Sequence, residues 1–128
     1  IIIVSGMNYS SIKLKERHSM TYDTYSKAGI IIYKNMENIN NLGIMADAKI
    51  IIAPELSQNG GLFFLNKKGW TIESYEAIQQ EKINELQNKG AQYLFLVHDE
   101  ANELLFNFQN SKIIFQNSEL TVYEFLNL

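Results

Sequence analysis

Three features of this 128-residue sequence predict an α/β layered domain. Segments of strand character alternate with segments of helical periodicity, the pattern of a sheet covered by helices. Residues 93–97, Tyr-Leu-Phe-Leu-Val, are apolar at every position, as expected of a strand buried on both faces. The last two strand-like runs are separated by Gln116-Asn117-Ser118-Glu119, which makes them a hairpin and the sheet mixed.

Each element follows from local chemistry. Residues 1–4 (Ile-Ile-Ile-Val) read as a short strand or the end of a longer apolar segment, and 8–19 as polar and irregular. Asp23 or Thr24 can cap a helix whose core side carries Tyr25, Ala28, Gly29, Ile32, Tyr33, Met36 and Ile39, with a stop at Gly43. Residues 49–53 read as a buried strand closed by Pro54, and 55–61 as a loop rich in turn residues. A second strand is expected at 62–65, then a turn at 66–69. Residues 73–89 carry the clearest helical stripe (Tyr75, Ile78, Ile83 and Leu86), and Gly90 stands where a left-handed cap belongs. Asp99 can cap a short helix reaching about residue 108, and strands follow at 112–115 and 120–125. The order α-β-β-α-β-α-β-β corresponds to a three-layer, Rossmann-like arrangement. Its sheet is mixed, with central parallel strands and a C-terminal antiparallel hairpin. Residues 21–128 are expected to form one such domain.

Composition narrows the function. With 46% hydrophobic and 12% aromatic residues the chain is not intrinsically disordered. The absence of cysteine excludes disulfides, thiolate metal sites and thiol catalysis. A formal net charge of −3 argues against a general nucleic-acid binder. The apolar runs are far shorter than the roughly 20 residues a transmembrane helix needs. Charge is uneven: lysine and arginine dominate 13–34, whereas glutamate and aspartate dominate 73–103. These are either two solvated faces or a basic segment turned towards an anionic surface such as lipid headgroups. The opening Ile1-Ile2-Ile3-Val4, without methionine, basic leader or cleavage site, reads as the start of a chain cut from a longer one.

Ligands of open α/β sheets bind beyond the carboxyl ends of the parallel strands. Two such junctions carry candidate residues. In 54–61, Glu55 can act as a base, and Ser57, Asn59 and the glycines can offer polar groups and backbone N–H donors to an anion; the same residues also suit an ordinary connecting loop. In His98-Asp99-Glu100, a histidine beside carboxylates suits acid–base work, while Asp99 equally suits a helix cap. There is no phosphate-loop or dinucleotide glycine motif and no Gly-x-Ser-x-Gly elbow. With His18 as the only other histidine, neither a catalytic zinc site nor any other metal or cofactor is expected. Trp70 and Tyr75 suit packing better than a stacking platform.

One longer stretch is more distinctive. It runs Lys49-Ile50-Ile51-Ile52-Ala53-Pro54-Glu55, a Gly/Asn loop, Leu62-Phe63-Phe64-Leu65-Asn66-Lys67-Lys68-Gly69-Trp70, a helix, then Gly90-Ala91-Gln92-Tyr93-Leu94-Phe95-Leu96-Val97. Together with the closing hairpin it resembles the soluble C-terminal domain of dolichyl-phosphate-mannose protein mannosyltransferase-like membrane glycosyltransferases of the GT-C class. The resemblance covers roughly residues 20–128. Lys68 stands before Gly69-Trp70 where arginine is commoner, and lysine cannot reproduce a bidentate guanidinium contact.

The resemblance implies an extracytoplasmic (periplasmic or extracellular) domain, with 1–20 as a juxtamembrane segment or leading strand. In that class the catalytic carboxylate lies in a loop of the transmembrane part, so no catalytic residue is carried onto this chain. The implied partners are the transmembrane part of the same polypeptide, the membrane surface, and the acceptor or lipid-linked sugar. The loops holding Glu55, Ser57, Asn59, Lys67, Lys68 and Trp70 are the implied contact surfaces. A free-standing module holding a small anionic ligand, a nucleotide or sugar phosphate, near Glu55, His98 and Asp99 is the alternative. A small enzyme using His98 with Glu100 or Glu55 is a third reading.

Overall fold

A computed structural model describes residues 27–57, 60–98 and 107–126. It is a mixed α/β fold around a five-stranded sheet. In chain order the elements are α1 (Lys27–Lys34), α2 (Met36–Asn40), β1 (Lys49–Ala53), α3 (Gly60–Leu65), β2 (Lys68–Thr71), a 3-10 turn (Tyr75–Ala77), α4 (Gln80–Asn88), β3 (Ala91–Val97), β4 (Ser111–Gln116) and β5 (Leu120–Phe125). The strand order is β2-β1-β3-β5-β4. β1 is parallel to both β2 and β3, and the β4–β5 hairpin joins β3 antiparallel. The expected central strand is therefore the middle of the sheet.

Strand alternation divides the core in two. Ile51, Ala53, Leu94 and Leu96 point to one face, where Ile83 and Leu86 of α4 cover them with Ile72, Ile78, Tyr123 and Phe125. Ile50, Ile52, Phe95 and Val97 point to the other, where they meet Ala28, Ile31 and Ile32 of α1, Ile39 of α2 and Leu62 of α3. Trp70 and Tyr75 pack, partly buried, on the first cluster, as their expected packing role requires.

Four expectations about elements are corrected. Residues 62–65 form a helix, not a strand. Glu55 Oε1 accepts the Gly61 N–H at 2.7 Å and Ser57 Oγ accepts the Gly60 N–H at 3.1 Å, so the segment starts with two of its orphan donors satisfied. It ends at Asn66, whose φ of 51° is left-handed, with the Lys67 N–H returning to the Leu62 carbonyl. Leu62 and Leu65, three apart, face inward, which is helical rather than alternating spacing. The turn expected at 66–69 is accordingly shorter, because Lys68 and Gly69 already pair with β1.

The single helix expected over 73–89 is a 3-10 turn and α4, separated by Ile78 and an extended Gln79. Burial of Ile78 against the sheet is satisfied by that break. Gly90 closes α4 with positive φ, as expected. The helix expected from the capping residues Asp23 or Thr24 is, within the described residues, two helices broken at Asn35. Its side-chain amide donates to the Ile31 carbonyl at 2.8 Å and competes with the helix ladder. Tyr33, expected on the core side, is 67% exposed, and Ile31 is buried in its place. The leading segment 1–20, the capping residues and the helix expected after Asp99 lie outside the described residues.

Gly69 is required by the sheet itself. A Cβ there would stand 1.8 Å from the backbone oxygen of Ile50, its register partner in β1. Trp70 follows immediately, packed on the core. The Gly-Trp pair is thus a device for laying β2 tightly against β1.

Candidate functional site

The carboxyl ends of β1 and β3, with the segment that follows β2, border a cleft of about 280 Å³ lined by Pro54, Glu55, Leu56, Ser74, Tyr75 and His98, among others. β1 delivers Glu55 through the cis Ala53–Pro54 bond, and the Glu55 N–H donates to the Ile72 carbonyl at 2.8 Å, which fixes the backbone. The side chain is only 2% exposed. One carboxylate oxygen accepts the Gly61 N–H, while Oε2 has no hydrogen-bond partner among the described residues. Burial raises the Glu55 pKa above the ordinary glutamate value, and the Gly61 hydrogen bond opposes this only in part.

His98 follows β3 directly. Its Nε2 shares a hydrogen bond with the hydroxyl of the buried Thr121, and its N–H donates to the Glu119 carbonyl at 2.9 Å. Burial lowers its pKa, which favours the neutral ring. The Tyr75 hydroxyl donates to the Val97 carbonyl and ties the 3-10 turn to the end of β3. Glu55 and His98 thus share one cleft, as expected of two neighbouring strand ends, yet each is engaged in a bond that holds the fold. Among the described residues no group of three His, Asp or Glu side chains is placed to hold a metal ion.

The other candidate residues divide between two places. Ser57 stays near Glu55, at the start of α3. Lys67 and Lys68 lie at the opposite end of the strands, where β1 and β2 begin, beside Lys49 and Phe63. The Lys67 ammonium donates to the Met45 carbonyl. Trp70 points to neither place but to the core. Asn59, Asp99 and Glu100 lie outside the described residues.

Two features were not among the sequence candidates. The first is the exposed aromatic group Tyr33, Phe64 and Phe63. Two consecutive phenylalanines after Gly60-Gly61-Leu62 could have signalled it, since a helix there must turn one side to solvent. The second is a polar bridge: Asn35 Oδ1 accepts the Asn117 side-chain amide at 2.7 Å, and Asn117 Oδ1 accepts the N–H groups of Glu119 and Leu120. The bridge joins the α1–α2 break to the hairpin turn.

Comparison with known proteins finds no matching family model, no matching curated protein and no matching solved structure. No helix among the described residues is long and apolar enough to cross a membrane.

Proposed function

We propose that this chain is the non-catalytic, three-layer Rossmann-like domain of a polytopic membrane glycosyltransferase that moves a hexosyl group from a polyprenyl-phosphate donor. It stands on the extracytoplasmic side, covers the membrane-level active site and helps select the acceptor. The motif carrying the resemblance, Lys68-Gly69-Trp70, suggests the family. The observation that carries the non-catalytic role is the engagement of the acid–base candidates in structural bonds. Glu55 holds the start of α3 through Gly61, and His98 holds β5 through Thr121. These bonds give each group a structural role that needs no reaction.

The test uses the complete gene product in detergent or vesicles, supplied with a polyprenyl-phosphate-linked sugar and an acceptor. Transfer is expected to require hydrophobic helices encoded outside this chain and to survive His98→Gln and Glu55→Gln. The 128-residue chain alone is expected to transfer nothing. Sugar transfer by the chain alone, or a gene encoding no hydrophobic helices, refutes the proposal.

The cleft at the strand ends favours a second reading, a free-standing module for a small anionic ligand such as a nucleotide or sugar phosphate. Glu55 weighs against an anion, because its own carboxylate occupies the Gly61 N–H that an incoming phosphate would use. A thermal-shift panel of nucleotides and sugar phosphates decides it: stabilisation supports the module, and none across the panel refutes it.

A further inference from the structure

We infer that the cleft at the carboxyl ends of β1 and β3 binds a small primary amine, with its ammonium held by Glu55 and Ser74 and its apolar body laid against Pro54, Leu56 and Tyr75. The inference goes beyond the transferase reading and does not rest on it. It assigns the cleft a ligand of charge opposite to the anion considered above.

Three observations carry the inference. First, the cleft is lined by a buried acceptor that lacks a donor. Glu55 lines it and is only 2% exposed. Its Oε1 accepts the Gly61 N–H, whereas Oε2 is buried with no hydrogen-bond partner among the described residues. A buried carboxylate oxygen left unmet is costly, and a donor arriving in the cleft recovers that cost. Ser74 lines the same cleft just before the 3-10 turn, and its side chain makes no capping bond there. Its hydroxyl is a second acceptor for the same ligand.

Second, the charge of the cleft favours a cation. Among the described lining residues Glu55, Glu73 and Glu76 stand against one cation, Lys27, which makes an interaction of its own. His98 also lines the cleft, and burial lowers its pKa, so at neutral pH the ring adds no positive charge. Burial raises the Glu55 pKa, and an ammonium beside it offsets that burial by favouring the ionised carboxylate. The same three carboxylates repel a phosphate.

Third, the shape suits a compact ligand. The cleft encloses about 280 Å³, with Pro54, Leu56 and Tyr75 as apolar walls. Leu56 is 47% exposed, and the Tyr75 ring is held by its hydroxyl bond to the Val97 carbonyl. Apolar walls with a few polar groups are the common form of a small-molecule site. The polar groups here select an ammonium. One orphaned carboxylate oxygen and one hydroxyl match the three N–H donors of a point charge, whereas a guanidinium fork needs paired acceptors in one plane.

The test is a two-dimensional NMR titration of the 128-residue chain at neutral pH with phenethylamine, its neutral counterpart 2-phenylethanol and its anionic counterpart 3-phenylpropanoate. Phenethylamine is expected to shift the amide signals of Gly61, Ser74, Tyr75 and His98. It should bind roughly tenfold or more tighter than the alcohol and weaken as salt is raised, and the carboxylate should not bind. Glu55→Gln keeps an acceptor for Gly61 but loses the charge, and should lower the affinity by roughly tenfold. Glu76→Gln, at an exposed position outside both cores, should lower it by about two- to fivefold, and it carries the test if Glu55→Gln folds poorly. Glu37→Gln, on α2 and outside the cleft, should leave it unchanged.

Equal binding of amine and alcohol, preference for the carboxylate, no saturable shift at the cleft, or full affinity in the folded cleft variants overturns the inference. So does tighter binding of phenylalanyl-glycinamide, which presents the same ammonium at a peptide end and would assign the cleft to a chain terminus instead of a free amine. The titration contains no sugar donor and no acceptor, so its failure leaves the transferase proposal to its own assay. Failure of that proposal likewise leaves the amine result standing.

Discussion

Gly69→Ala places a methyl group into the tightest backbone approach at any glycine among the described residues. The added Cβ would lie 1.8 Å from the Ile50 oxygen, whereas ordinary contact begins at 3.4 Å. β2 must therefore retreat from β1 by well over 1 Å, enough to break the hydrogen bonds flanking the Ile50–Gly69 pair. At about 1 kcal/mol net for each of two bonds, with a further ~1–2 kcal/mol for disturbed packing at the strand, the cost is about 3–4 kcal/mol. Gly43 supplies the control. Its φ is also positive, at 70°, but a Cβ there meets nothing within 4 Å, so Gly43→Ala should cost only about 1 kcal/mol of backbone strain.

The assay is urea unfolding followed by the fluorescence of Trp70, the single tryptophan and a neighbour of the substituted residue. With a urea slope of about 1–3 kcal/mol per molar, Gly69→Ala should lower the midpoint by more than 1 M. The native emission of Trp70 should also change. A midpoint shift no larger than that of Gly43→Ala, with unchanged emission, would refute the close-approach argument.

Three further outcomes are expected. Burial raises the Glu55 pKa, so the stability linked to this group is fully present below the unfolded glutamate pKa and is lost as pH rises through the higher folded value. Glu55→Gln keeps an acceptor for Gly61, so its stability relative to the parent should improve between acid and neutral pH; a difference that stays constant with pH refutes this. Both proteins carry His98, whose burial-lowered pKa removes stability as pH falls, so the comparison is free of that opposite slope. Leu94→Ala, in the middle of the central strand, should cost about 2–5 kcal/mol in calorimetry or urea unfolding, and less than 1 kcal/mol would contradict its place in the core. Asn117→Ala removes the partner of the buried Asn35 and the acceptor for two turn N–H groups. It should cost about 1–3 kcal/mol and speed amide exchange at Glu119 and Leu120, and unchanged exchange there would sink the bridge.

Legibility from sequence followed how local each cause was. β1, β3 and the hairpin were readable because continuous apolar runs and turn residues determine them with little outside help. Residues 62–65 misled because Leu-Phe-Phe-Leu has strand propensity, and the deciding interaction, Glu55 reaching Gly61, crosses a loop. The helix over 73–89 breaks at Ile78 and the extended Gln79, and Tyr75 is tied to Val97, a link not visible in periodicity. Tyr33 shares a helix with Ala28 and Ile32, but the buried side of that helix turns towards Ile31, which leaves Tyr33 in solvent. At the site, the strand-end rule correctly brought Glu55 and His98 to one cleft. It could not show that Gly61 and Thr121 already engage them, since both partners are distant in sequence or outside any motif. The exposure of Phe63 follows from its helical state and was lost with that assignment.

The bridge between Asn35 and Asn117 bears on how the chain is made. Synthesis delivers α1 and α2 early, but the partner of Asn35, and the Leu120 and Val122 that complete the core beneath those helices, arrive last. Tyr123 and Phe125 of the other core arrive with them. A growing chain that has reached only β3 therefore has a central strand with one edge open and both hydrophobic layers incomplete. The cooperative fold becomes attainable only once the hairpin has emerged. In the proposed extracytoplasmic setting, this ordering would keep the chain threadable until synthesis is nearly complete.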